Sequence, residues 1–213
     1  MAIKHAAFLS YCHGQGELMR RFVIDVHEAL TSSLEPYMAE PVFLDQERLR
    51  PGYQFNEQLA TAICESLCLV AVVVPRYFES GYCLQELEAM KRLEQRRFSA
   101  MGPTAPASGG LIVPIVLRGS LPDLPAALRE HPHLADFTTF STADRQLAKS
   151  RRFAQKIDSI AAFIADLKKG SLHHEDAFGH PCADFRLPSE AESEEWRSRP
   201  ARMDSFILRN PGR

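Results

Sequence analysis

The sequence predicts an α/β domain, a doubly wound five-stranded parallel sheet covered by helices. Short apolar runs without alternation, such as Ala6 to Tyr11, Leu69 to Val74 and Leu111 to Leu117, have the character of strands buried on both faces. Between them, apolar residues recur every three or four positions, the period of amphipathic helices. The two patterns alternate along the chain, which selects a parallel sheet with crossover helices.

In order, Ala6 to Tyr11 (AAFLSY) is the first strand, ended by the loop His13-Gly14-Gln15-Gly16. Glu17 to Leu30 carries Leu18, Phe22, Val23, Val26, Ala29 and Leu30 as the apolar face of a helix. Pro41 to Leu44 is a second strand, and Asp45 to Tyr53 a polar loop turned by Pro51-Gly52. Phe55, Leu59, Ala62, Ile63 and Leu67 outline a second helix, followed by the β-branched strand Leu69 to Val74. Ser80 to Arg97 reads as a helix. Met101 to Gly110 is a connection, and Leu111 to Leu117 a fourth strand in which Pro114 signals a bulge or a nearby sheet edge. A short helix at Leu124 to Leu128 and a brief fifth strand at Asp136 to Phe140 follow. Ser150 to Lys169 is the last amphipathic helix, with Gly170 placed to stop it.

Residues 1–170 thus form the domain. Residues 171–213 are rich in Ser, Glu, Pro and Arg, with Phe178, Phe185, Trp196 and Phe206-Ile207-Leu208 as apolar anchors, too few for a core. This extension is either disordered or a strap docked through those anchors.

The chain has 213 residues, 45% of them apolar, and a net charge of -2, so neither nucleic acid nor an anionic membrane is indicated as a partner. Its longest apolar run, Leu67 to Val74, is too short to span a bilayer, and no signal peptide is evident, so a soluble, cytoplasmic protein is expected. The five cysteines, at 12, 64, 68, 83 and 182, lack Cys-x-x-Cys spacing and are expected to be reduced core thiols. His173, His174, His180 and Cys182 lack a regular ligand spacing, so no metal site is assigned.

Chemistry converges on Pro75 to Met90 (PRYFESGYCLQELEAM). On a helix, Cys83, Leu87 and Met90 share one face, while Gln85, Glu88, Arg92 and Gln95 lie opposite. Glu86 falls between, at the boundary of the core and one turn after Tyr82, whereas Glu88 is expected on the solvated surface. A boundary acid can be a plain structural residue or a desolvated functional one. In a doubly wound sheet the loops after the first and second strands and the turn before Glu86 meet at one edge, where such folds bind ligands. Gly14-Gln15-Gly16 is only a partial dinucleotide fingerprint, since Met19 holds the third glycine position. Neither a GxxxxGK[ST] nor a GxSxG motif is present.

Four separated segments, AAFLSY (6–11), VFLDQERLRPGYQFNEQLATAICES (42–66), VAVVVPRYFESGYCLQELEAM (70–90) and LIVPIVLRG (111–119), together resemble the Toll/interleukin-1 receptor (TIR) domain of bacterial proteins. The resemblance spans about residues 4–169. It implies the flavodoxin-like TIR fold, with Leu49-Arg50-Pro51-Gly52 in the BB loop and Glu86 as the catalytic glutamate of those members that cleave NAD+. Tyr82 stands where the family usually has Trp.

The implied activity is an NAD+ nucleosidase, releasing nicotinamide and yielding ADP-ribose or a cyclised or conjugated form, in immune or cell-death signalling such as anti-phage defence. NAD+ is then a substrate and no cofactor is implied. Nicotinamide leaves the cationic pyridinium as a neutral base, so one carboxylate suffices to stabilise the oxocarbenium-like ribose. The resemblance implies substrate contacts from Phe8, Ser10, Tyr11 and Tyr82, and from Asp45, Arg48 and Arg50 toward the nucleotide or a neighbouring subunit. It also implies homotypic self-association through the BB-type loop. The rival is a non-catalytic TIR adaptor acting through homotypic contacts. An open cleft at Glu86 bordered by Phe8 and Tyr11 favours the enzyme; a salt bridge from Glu86 to a local Arg such as Arg76 favours the adaptor.

Overall fold

The computed structural model describes residues 3–14, 16–44, 53–104, 110–144, 146–179 and 182–197. Five strands, β1 (Ala7–Tyr11), β2 (Val42–Leu44), β3 (Leu69–Val73), β4 (Ile112–Val116) and β5 (Ala135–Asp136), form one parallel sheet in the order β2-β1-β3-β4-β5. This is the flavodoxin-like order. β1, β3 and β4 are buried along their whole length, which accounts for their unbroken apolar sequence.

The helices are α1 (Glu17–Leu34), α2 (Tyr53–Cys64), α3 (Gly81–Met101), α4 (Ala126–Arg129), α5 (Arg151–Leu172) and α6 (Glu175–Phe178). α1 packs with α5 and α2 with α3. Phe22 of α1 meets Phe137 and Phe153 edge to face, each at 6.4 Å between centroids, and this aromatic cluster seals the α1 and α5 layer.

Several local expectations shift. Leu18 is exposed and Met19 is buried in its place, while Phe22, Val23, Val26 and Leu30 keep the buried stripe of α1 where it was expected. Gly14 and Gly16 have φ of 76° and 86°, so these glycines serve a left-handed turn out of β1. Pro114 causes no bulge, because β3 and β4 pair one to one from Leu69↔Ile112 to Val73↔Val116. β5 pairs with β4 only at Ile115 and Val116, so no ladder bond to β5 is required of Pro114. The fifth strand stops at Asp136 because its carboxylate accepts from the backbone N–H and hydroxyl of Thr138, at 2.9 and 2.7 Å, and turns the chain. α5 continues through Gly170 to Leu172, a tolerable cost of about 1 kcal/mol for one helical glycine.

The expectation that all cysteines are reduced is overturned. Cys64, the last residue of α2, is joined to Cys182 with 5.8 Å between Cα atoms, while Cys12, Cys68 and Cys83 are buried thiols. Beyond the bond, residues 182–197 run along α3 and end in a 3-10 turn at Ala191–Arg197. Gln85 donates to the Pro188 carbonyl at 2.7 Å, Arg92 pairs with Glu192 at 2.9 Å, and Lys91 pairs with Glu195. Trp196 is buried and donates its indole N–H to Glu88 at 3.0 Å. Glu88 is therefore buried under the strap, contrary to the solvated position expected of it. The Phe206-Ile207-Leu208 anchors lie outside the described residues. Among the described residues, no helix is long and apolar enough to cross a membrane.

Candidate active site

Strand order reverses between β1 and β3, and the carboxyl ends of these two strands frame the switch point where ligands of such sheets bind. Ser10 is the penultimate residue of β1 and lies level with Ala71 of β3. After β3, Pro75–Glu79 forms a 3-10 turn closed by the Tyr77 N–H on the Val74 carbonyl at 2.8 Å. Ser80 then caps α3, its hydroxyl oxygen accepting from the Cys83 N–H. That cap fixes the rotation of α3. Cys83, Glu86, Leu87 and Met90 then share the buried face, so Glu86 is not at the core boundary but fully inside.

A buried carboxylate needs hydrogen-bond donors. Ser10 Oγ donates to Glu86 Oε2 at 2.5 Å, and Ser10 Oγ lies 2.6 Å from the Tyr77 hydroxyl. Because the single Ser10 proton is directed at Glu86, Tyr77 is the donor to Ser10. The result is a chain of hydroxyls, Tyr77 to Ser10 to Glu86, with all three residues at most 1% exposed.

Of the other sequence candidates, Phe8 is fully buried and stacks on Phe43 with 5.3 Å between centroids, so its ring packs the core two residues before Ser10. Tyr11 stacks on His13 at 4.2 Å. Tyr82 is 39% exposed on the first turn of α3, outside the buried face that holds Glu86. Asp45, Arg48 and Arg50, with the rest of the BB-type loop, lie outside the described residues. Among the described residues, no cleft opens onto Glu86. Glu86 has no exposed surface, and Arg76 lies 3.9 Å from Glu79.

Tyr77 was not singled out by sequence, although a signal exists. A tyrosine one turn beyond the carboxyl end of a central strand must find a partner for its hydroxyl if it is buried. Arg97 was missed too. It is fully buried near the far end of α3 and donates to the carbonyls of Cys64, Ser66 and Leu67 at 2.9, 3.1 and 3.2 Å. Its guanidinium lies 4.9 Å from the Phe178 ring centroid.

Residues 8–150, more than half of the chain, match the sequence pattern of the TIR domain. A curated relative, "Probable 2' cyclic ADP-D-ribose synthase BdTIR" from Brachypodium distachyon, is 44% identical over 45 residues, 21% of this chain and 20% of the relative. The aligned part of the chain thus spans about one fifth of that relative's length. With the sheet order and the sequence pattern agreeing over the same residues, the chain belongs to the TIR-domain family.

Proposed function

We propose that this TIR protein is an NAD+ nucleosidase whose catalytic carboxylate is Glu86. The observation that carries the reading is the placement of Glu86, supported by a hydroxyl donor at the carboxyl edges of β1 and β3. Such an acid can face the positive charge that develops on the ribose as the bond from C1′ to the nicotinamide nitrogen breaks. The bonding pair leaves with the nitrogen, so nicotinamide departs neutral. Water then adds to C1′ and loses a proton, giving ADP-ribose. With a hydroxyl of the same molecule in place of water, the product is cyclic, as the name of the Brachypodium relative records for that protein.

Glu86 is buried, so substrate reaches it only after the carboxyl edge opens. Homotypic assembly through the BB-type loop would supply that opening, making activity depend on protein concentration. The same burial favours a second reading, an adaptor that assembles without chemistry. Incubating the protein with NAD+ over a range of concentrations, and following nicotinamide alongside sedimentation, separates the two. The enzyme reading expects nicotinamide release that rises with assembly and a silent Glu86→Gln variant that still assembles. Assembly without nicotinamide at any concentration would establish the adaptor, and equal activity in Glu86→Gln would remove Glu86 from the chemistry.

A further inference from the structure

We infer that Tyr77 and Ser10 act as positioning residues for Glu86, a two-hydroxyl relay that fixes one carboxylate oxygen and polarises toward it. The inference rests on the NAD+-cleaving reading of Glu86. The three side chains come from three elements: Ser10 from β1, Tyr77 from the turn after β3, and Glu86 from α3. Two bonds of 2.6 and 2.5 Å tie them in series. All three residues are shielded from solvent.

The direction of the series follows from counting protons. Ser10 has one, and it lies on the bond to Glu86 Oε2, so its oxygen must accept the Tyr77 proton. Each donation makes the next hydroxyl a better donor, and both dipoles point at the carboxylate. Ser10 and Tyr77 sit on the most buried strands of the sheet or directly after them, so the relay holds Oε2 in register with β1 and β3. An acceptor fixed before substrate arrives needs no reorganisation as positive charge develops on the ribose, which is where electrostatic catalysis gains most. Ser10 therefore serves the reaction through Glu86, a different role from the direct substrate contact that the family resemblance implies.

The experiment compares wild type, Tyr77→Phe, which removes only one oxygen, and Ser10→Ala. Nicotinamide release is measured against NAD+ concentration, and in parallel the carboxyl resonance of Glu86 is followed in protein labelled with 13C-glutamate, assigned by its loss in Glu86→Gln. We expect Tyr77→Phe to lower kcat about tenfold and Ser10→Ala up to about a hundredfold, the range for lost hydrogen bonds to a charged group. KM should stay within about twofold, because a transition-state interaction has been weakened and not substrate binding. The Glu86 resonance should move in both variants while thermal unfolding of Tyr77→Phe stays cooperative. An unmoved resonance in both variants, or an unchanged kcat, overturns the relay. The resonance is read without turnover, so a wild type that releases no nicotinamide while Tyr77→Phe still shifts the signal leaves the relay standing and removes the NAD+ reading instead.

Discussion

Arg97 shows how one side chain can secure the end of another element. α2 ends at Cys64, and the carbonyls just past a helix end carry partial negative charge and lack helical partners. Arg97 supplies its guanidinium to three of them, Cys64, Ser66 and Leu67, on the approach to β3. Burial pushes the Arg97 guanidinium down to about 10, still well above neutral pH, so it remains a cation there. Burial likewise pushes the neighbouring Cys68 thiol up to about 12, keeping it protonated. Replacing Arg97 by Met fills much of its volume but leaves three carbonyls without their donor. We expect Arg97→Met to lower stability by about 2–4 kcal/mol in urea titrations, given about 1–3 kcal/mol for each buried polar group left unsatisfied and partial rescue by water. A loss under about 0.5 kcal/mol would mean that water replaces the guanidinium fully. The cap could not be read from the sequence, and Tyr77 could be marked only as a tyrosine in need of a partner, because the partners themselves lie at least 30 residues away: Cys64, Ser66 and Leu67 for Arg97, and Ser10 for Tyr77. Glu86 could be singled out as an acid at the edge of an apolar period because that signal is local, but its full burial could not, since that depends on the elements packed around α3.

At the scale of elements, the sequence pattern located the first four strands and the long helices, set the fifth strand too late so that it overlaps the observed one only at Asp136, and misjudged what covers α3. Gln85, Glu88 and Arg92 look like a solvated face by spacing, yet that face holds the strap through Gln85, Arg92, Lys91 and Glu88. A polar interface leaves no apolar signature, so periodicity cannot reveal it. Its electrostatics are testable. The Ser189 backbone N–H and hydroxyl, and then Arg92, hold the Glu192 carboxyl down to about 2. Glu195 is also lowered, chiefly by its bond to Lys91. A carboxyl with a depressed folded-state value contributes stability above its ordinary range, near 4.3, and loses it as pH falls toward the folded value. The part of this that crosses to α3 is Arg92 on Glu192 and Lys91 on Glu195, so strap docking is expected to weaken as these two carboxyls are protonated below about pH 5. Trp196 is the single tryptophan of the chain and is buried in this contact, so its fluorescence reports docking directly. Emission should shift to the red on acidification before the far-ultraviolet circular dichroism of the domain changes. Replacing Glu192 by Gln should flatten that early acid limb; an unchanged limb would assign it to other groups.

Across the whole molecule, the disulfide sets which parts of the fold depend on one another. Cys64 and Cys182 are 118 residues apart, and the loop they close contains β3, α3, β4, β5 and α5. The bond therefore ties the strap to the end of α2 and restrains most of the unfolded chain. For a loop of this length, chain entropy alone gives about 4–5 kcal/mol, and removal of a native bond costs about 2–5 kcal/mol. The sequence hid this pairing, because five cysteines without regular spacing read as core thiols and only the docked strap brings Cys182 to α2. Cys182→Ser is expected to lower the midpoint of thermal unfolding by about 5–15 °C, taking about 2–4 °C per kcal/mol for a domain of this size. Wild type treated with a dithiol reductant should lose the same amount, since the reductant takes up the bond as its own disulfide and leaves two thiols on the protein. Trp196 decides what else the bond does. If emission stays blue in Cys182→Ser at neutral pH, the hydrogen bonds and ion pairs to α3 hold the strap unaided and the bond acts on the unfolded chain. If emission shifts to the red at temperatures where the sheet is intact, the bond is needed to keep residues 182–197 on α3, and the helix that carries Glu86 gains an exposed polar face whenever the bond is reduced.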